Sequence, residues 1–209
     1  MMRDPLDPRE ALIACPDPQA TRALCDALRR VHPQALLYFA TAAEQARLMI
    51  GTLPLSLVLA DLDLASPSPT EFVAQIRWRK PSARLIVVAA HGGDDRLLPA
   101  LRAGAVGFLC KQDPVDEWVA QLRKLAVGVL PLTPALARQI IRDVDATGAP
   151  LPQSQWQVLA WIAAGHTPVQ AGQQVAMTEE EVQDSINRIY ERVALRGAGP
   201  GTQRSGEGN

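Results

Sequence analysis

No stretch of this sequence stays apolar long enough to cross a membrane; its longest hydrophobic runs are of strand length. The first residues are charged and proline-rich, and do not read as a signal peptide. Cysteine is scarce. Cys15, Cys25 and Cys110 form an odd, widely spaced set, which argues against a disulfide framework and suits a reducing cytoplasm. Net charge is almost absent: 21 Lys and Arg against 22 Asp and Glu leave −1, so no global field draws the chain to nucleic acid and any DNA affinity must come from a local patch. A catalytic constellation is missing as well. His32, His91 and His166 are scattered, with no nucleophile–base spacing and no metal motif, so the chain does not read as an enzyme. What is plentiful is hydrophobic residue, 47% of 209, enough for the core of one large domain or two small ones. Proline is also frequent, with 17 residues, most of them where helices should begin.

Short apolar runs alternate with amphipathic segments over the first ~125 residues, the pattern of a parallel βα-repeating sheet. Ala11–Ala14, Ala35–Ala40, Leu57–Asp61, Leu85–Ala89 and Gly107–Cys110 are the expected strands. Asp17 with Pro18 is expected to open the first helix, Thr41 and Glu44 to form a capping box for the second, and Ser68-Pro69-Thr70-Glu71 to open the third. A fourth helix is predicted from about Asp94 to Ala103, and a fifth from Asp113-Pro114 to about Ala126. Five strands and five helices in strict alternation form an open doubly wound α/β sheet, in which ligand chemistry sits at the carboxyl ends of the strands. Asp61 and Lys111 both lie there.

Beyond Pro131 and Pro134, Ala135–Val144 has helical character, and Gly148-Ala149-Pro150 breaks it. A smaller all-helical unit follows. Trp156, Leu159, Ile162 and Ala163 recur at helical spacing before Gly165, and Thr167-Pro168 starts a short helix to about Val175. Thr178 and Glu181 cap a longer helix with Val182, Ile186, Ile189 and Val193 on one face, which suggests helix-turn-helix.

Asp61, the run Gly107-Phe108-Leu109-Cys110-Lys111 and the framework Leu151, Val158-Leu159, Gly165, Thr178, Val182, Ile186 and Ile189 together resemble the NarL/FixJ class of two-component response regulators, with a LuxR-type DNA-binding domain. The resemblance runs from Ala11 to Leu195. It implies a receiver-like domain over 8–127 with strand order 2-1-3-4-5, a linker with a helix over 128–150, a four-helix helix-turn-helix domain over 151–196 and a disordered tail over 197–209. It also implies that Asp61 stands at the phospho-acceptor position, with Lys111 beside it.

The rest of the receiver pocket departs from the pattern. An active receiver holds magnesium through two acidic residues after strand one, together with the acceptor aspartate, and the ion needs hard oxygen ligands. Cys15 and Pro16 fill those two positions, and Asp17, one residue late, serves as a helix cap. The magnesium site is therefore expected to be lost, leaving no cofactor. Asp63 is expected to be solvated. Ala89 stands where a Thr or Ser hydroxyl reads the phosphoryl group, so Phe108, at the aromatic switch position, lacks its partner. Two readings of Asp61 stay open: an inherited ion pair with Lys111, which the missing groups favour, and a working phospho-acceptor. Free, buried thiols are expected.

The helix-turn-helix unit departs in charge. Its recognition helix begins Thr178-Glu179-Glu180-Glu181-Val182-Gln183-Asp184-Ser185, with four carboxylates and no base, which suits the helix dipole and not DNA phosphates. Thr178, Gln183, Ser185 and Asn187 are the candidate polar contacts. Arg188 and Arg192 are candidate phosphate contacts unless they pair with Glu181, Asp184 and Glu191 along the helix. Ala176 stands in the turn where glycine is common. The implied protein is a cytoplasmic transcription regulator acting without ordinary phosphorylation. It binds DNA weakly as a dimer through its receiver, with Leu97, Leu98, Leu101, Val106, Trp118 and Leu122 as candidate contacts. A protein-interaction module that sequesters a related regulator is the alternative from another class, and a conventional phosphorylated regulator the third. No membrane partner is expected.

Overall fold

A computed structural model describes residues 9–64, 68–148 and 151–197, with side chains to residue 193. The expected tail from 198 onward lies outside the described residues. Five strands, β1 (Glu10–Ala14), β2 (Leu36–Ala40), β3 (Leu57–Asp61), β4 (Arg84–Ala89) and β5 (Gly107–Cys110), pair in parallel in the order β2-β1-β3-β4-β5. Register places Ala14 beside Ala60, Asp61 beside Val88, and Ala89 beside Cys110. The carboxyl ends of β1, β3, β4 and β5 thus form one edge. Among the described residues no helix is long and apolar enough to cross a membrane.

The central strands are apolar on both faces because both are covered, as parallel sheets require. Leu12, Val58, Leu85, Val87 and Phe108 face α2 (Ala43–Thr52), α3 (Pro69–Arg79) and α4 (Leu97–Arg102). Ile13, Leu59, Ile86, Val88 and Leu109 face α1 (Pro18–Val31) and α5 (Val115–Ala126). The caps are local chemistry. Asp17 accepts from the amide of Gln19 and Ser68 from that of Glu71, each followed by a proline at the first helical turn. The expected Thr41–Glu44 box does not form. Ala42 occupies the N-cap, the Thr41 amide donates to Gln45, and Glu44 pairs with Arg47 at 2.8 Å instead. The fourth helix starts three residues later than expected, because the Asp94 side chain accepts from the Arg96 amide and makes a turn of that segment.

Four more helices follow: α6 (Pro134–Thr147), α7 (Gln153–Ala163), α8 (Pro168–Val175) and α9 (Glu179–Gly197). Thr167 and Gln170 form a reciprocal capping box on α8, as Thr178 and Glu181 do on α9. The turn between α8 and α9 is tight. A Cβ on Gly172 would lie 2.9 Å from the Met177 carbonyl oxygen, and Ala176 has φ 55°, the one positive φ at a non-glycine residue among those described.

The helical unit does not hang free. One core cluster runs from the α2–α4 face of the sheet through Leu132, Leu136 and Ile140 to Val158, Ile162, Ile186 and Ile189. Helix α9 packs on α4. Arg102 pairs with Asp143, and the Tyr190 hydroxyl donates to the Pro131 carbonyl. Leu97, Leu98, Leu101, Trp118 and Leu122, the candidate dimer contacts, are 0, 7, 2, 2 and 1% exposed. They serve the interior, and only Val106 of that set is half-buried.

Candidate functional site

Asp61 ends β3 at 1% exposure. Its Oδ1 accepts from the Asp63 amide at 2.9 Å. Its Oδ2 lies 2.7 Å from Lys111 Nζ and 3.0 Å from Cys15 Sγ. Lys111 is delivered by β5, whose ladder continues through the bond from its amide to the Ala89 carbonyl at 2.8 Å. Burial lowers the affinity of this lysine for its proton, but hydrogen bonds to Asp61 and Asp63 outweigh it and the net shift is upward. Cys15 replaces an acidic residue with a neutral donor. Burial, and then the hydrogen bond to Asp61, push its thiol up to about 12, so the proton stays on sulfur.

The remaining candidates fall into place around this pair. Pro16 is exposed, and Asp17 is occupied in capping α1. Ala89 is fully buried, presenting a methyl group where a hydroxyl would be needed to grip an anion, and Phe108 is 1% exposed in the same cluster. Asp63 is not simply solvated, as expected. It bonds Lys111 Nζ at 2.7 Å and Arg96 Nη1 at 2.8 Å, and the lysine first, with the arginine, holds its carboxyl below the ordinary range against a partial burial cost.

Arg96 and Asp94 were not among the residues read from the sequence as functional. Arg96 Nε and Nη2 grip the Asp94 carboxylate at 2.9 and 2.7 Å, while Nη1 reaches the Leu62 carbonyl at 3.3 Å as well as Asp63. Burial alone would raise the Asp94 carboxyl, but the bonds from Arg96 outweigh it and hold it low. The edge is therefore a chain of alternating charge: Asp61, Lys111, Asp63, Arg96, Asp94. The loop that carries Asp94 is tied in turn to α6. Gln139 Nε2 donates to the Gly93 and Asp94 carbonyls at 3.0 and 3.2 Å. The two buried thiols, Cys15 and Cys110, are free, as is the half-buried Cys25.

On the helix-turn-helix surface, Thr178 is exposed but spent on its cap. Ser185, a candidate contact, is 6% exposed and faces inward, so it does not reach a ligand from here. Gln183 is half-buried, donates to Asn187 Oδ1 at 3.1 Å, and lines a cleft of about 410 Å³ with Glu179, Lys124 of α5 and the Val129–Thr133 segment. Arg188 and Arg192 are exposed. Among the described residues neither has a carboxylate within 4 Å, so they point to solvent and do not pair along the helix.

No family model matches the chain. Two curated proteins align over most of their length. The nitrate/nitrite response regulator protein NarL of Escherichia coli K12 is 23% identical over 164 residues, covering 75% of this chain and 76% of that one. The transcriptional regulatory protein LiaR of Bacillus subtilis is 24% identical over 157 residues, covering 72% and 74%. Among solved structures, the RcsB response regulator of Salmonella typhimurium, studied for its DNA interaction, superposes with a TM-score of 0.55 at 14% identity over 88% of this chain and 91% of that one. The structural likeness establishes the fold; of the two aligned relatives, one is a response regulator and the other a transcriptional regulatory protein.

Proposed function

We propose that this chain, a NarL/FixJ-type response regulator, is a cytoplasmic transcription regulator that binds DNA through α8 and α9 as a homodimer formed by its receiver, and that it acts without conventional phosphorylation of Asp61. The observation that carries the reading is the state of the Asp61 carboxylate. It is buried, both oxygens accept hydrogen bonds, and the groups around it are a thiol, a lysine and, at the end of β4, a methyl. An incoming phosphoryl group would bring negative charge to an edge whose cations, Lys111 and Arg96, are already engaged by carboxylates and where the end of β4 presents a methyl in place of a hydroxyl, and the energy of placing that charge in a partly buried site is large.

DNA contact rests on Arg188 and Arg192, the exposed bases among the described side chains of α9. Two phosphate contacts per chain give a salt dependence of about −2 in log K against log salt, or about −4 for a dimer, small for a regulator. A second reading is favoured by one feature of the same surface: Glu179 and Glu180 are exposed on α9, and α8 carries no base. There the helical unit binds protein, sequestering a related regulator. The test is intact-mass analysis after incubation with acetyl phosphate and magnesium, beside fluorescence anisotropy on promoter-length duplexes and light scattering for the dimer. Unlabelled protein whose DNA affinity is the same in Asp61→Asn supports the proposal. An added phosphoryl mass that disappears in Asp61→Asn overturns its phosphorylation clause, and no binding to any duplex at low salt hands the helical unit to the second reading.

A further inference from the structure

The chain of charge at the strand ends has an arithmetic that a metal ion does not fit. Three carboxylates, Asp61, Asp63 and Asp94, have six oxygens, and each of the six already accepts a hydrogen bond or ion-pair contact: Asp61 from the Asp63 amide, Cys15 and Lys111; Asp63 from Lys111 and Arg96; Asp94 from Arg96 alone, through its amide, Nε and Nη2. Among the described residues no three His, Cys, Asp or Glu side chains are placed to hold an ion. At the position where a receiver of this family supplies acidic ligands, Cys15 is a protonated donor aimed at Asp61.

We propose that Arg96 is the resident cation of this edge: its guanidinium, seated between Asp63, Asp94 and the Leu62 carbonyl, neutralises Asp94, which Lys111 does not touch, shares Asp63 with that lysine, and excludes a divalent ion. The geometry is that of a fork. Nη1 serves the loop after β3 while Nε and Nη2 serve the loop after β4, so one planar group with fixed donors joins two loops. Arg96 is also the N-cap residue of α4; its backbone amide donates to Asp94 Oδ1 at 3.0 Å, so the carboxylate that its side chain grips also holds the start of that helix. A hydrated ion in this place would need to strip four hard oxygens of a partner that is covalently tethered and always charged. Removing the guanidinium withdraws a donor from those four oxygens, three carboxylate and one carbonyl, which are the donor type a divalent ion takes.

This inference deepens the proposed phosphorylation-independent reading, and its test is independent of phosphate chemistry. Manganese chloride is titrated into the full chain, with the electron paramagnetic resonance signal of free Mn²⁺ as readout. Wild type and Arg96→Lys should show no saturable site below roughly 5 mM, since each keeps a cation in place, whereas Arg96→Ala should bind at least about tenfold more tightly than wild type. Arg96→Gln repeats the measurement if circular dichroism shows the alanine variant unfolded. A saturable single site in wild type, or a folded neutral variant that binds no better than wild type, overturns the assignment. Acetyl phosphate labelling of the same samples separates this failure from that of the phosphorylation reading, because a chain can be unlabelled and yet bind the ion.

Discussion

Replacing Lys111 with methionine isolates the one interaction on which the receiver edge depends. The Asp61 side chain is 0% exposed and that of Lys111 20%, so the variant leaves a buried carboxylate with a thiol and an amide as its remaining donors. Breaking one side of a buried pair costs about 3–5 kcal/mol. The second contact of Lys111, to the 44%-exposed Asp63 side chain, adds at most about 1 kcal/mol. A loss of about 3 kcal/mol lowers the melting temperature of a chain this size by roughly 6–12 °C. Thermal unfolding followed by circular dichroism measures it. Because the lysine's affinity for its proton is raised in the folded state, its contribution is complete below the unfolded value and fades only as pH rises through the folded one, so neutral pH samples it at full strength. Asp61→Asn combined with Lys111→Met should recover to within about 1 kcal/mol of Asp61→Asn alone, the buried charge being gone. A cost below about 1 kcal/mol for Lys111→Met, or a double variant as unstable as the single, refutes the reasoning.

Other outcomes follow from single residues. Ala176→Gly should stabilise the chain by about 0.5–1 kcal/mol in urea denaturation, by relieving φ 55°, whereas Gly172→Ala should destabilise it by more than about 1 kcal/mol, because its Cβ would meet the Met177 carbonyl at 2.9 Å and Val182 at 3.0 Å. Ellman's reagent at pH 8 should titrate the half-buried Cys25 quickly and leave Cys15 and Cys110 protected until denaturant is added, since burial first, then neighbouring carboxylates, holds both thiols up near about 12. Asp94, held low by Arg96, contributes stability that is present above its unfolded value and lost as pH falls through the folded one, so acid melting below about pH 4 should be steeper in wild type than in Arg96→Ala. Arg188→Ala should reduce the salt slope of DNA binding by about 1 without changing sequence preference, and Gln183→Ala should do the reverse.

Much of this was legible in the sequence, and the failures share a cause. Helix starts were readable because their first residues have local work to do: Asp17, Ser68, Thr167 and Thr178 each accept from an amide two or three residues on. Local patterns failed where a competing partner was nearby in sequence too. Gln45 outcompetes Glu44 for the Thr41 amide, and Asp94 bends its segment before a helix can start. The strand-end charges were half legible. Asp61 and Lys111 lie at strand ends, which pattern alone locates, but Arg96 joins Asp63 across 33 positions and nothing in the sequence between them announces it. The Asp94-Asp95-Arg96 triplet was the available hint. Ser185 was legible and misread: three residues after Val182 and four before Ile189, it borders the apolar stripe, and its 6% exposure follows from that spacing.

The same helical spacing decides what docking of α9 does to DNA contact. At about 100° per residue, Val182, Ile186, Ile189 and Val193 share one stripe, Glu179, Gln183 and Tyr190 lie to one side of it, and Arg188 and Arg192 lie well round on the other. The first side is the one turned to the receiver: Glu179 and Gln183 line the cleft with α5, and Tyr190 bonds the Pro131 carbonyl. The arginines remain in solvent in this arrangement. Phosphate contacts fix position and base contacts specify sequence, and the two sets of side chains are here on opposite flanks of one helix. On the proposed DNA-binding reading, the docked chain accordingly leaves the phosphate-contact flank open and half-buries the amide that would choose among duplexes. On that reading, sequence preference therefore requires α9 to leave the cleft it shares with α5 and the Val129–Thr133 segment, at the cost of its packing on α4.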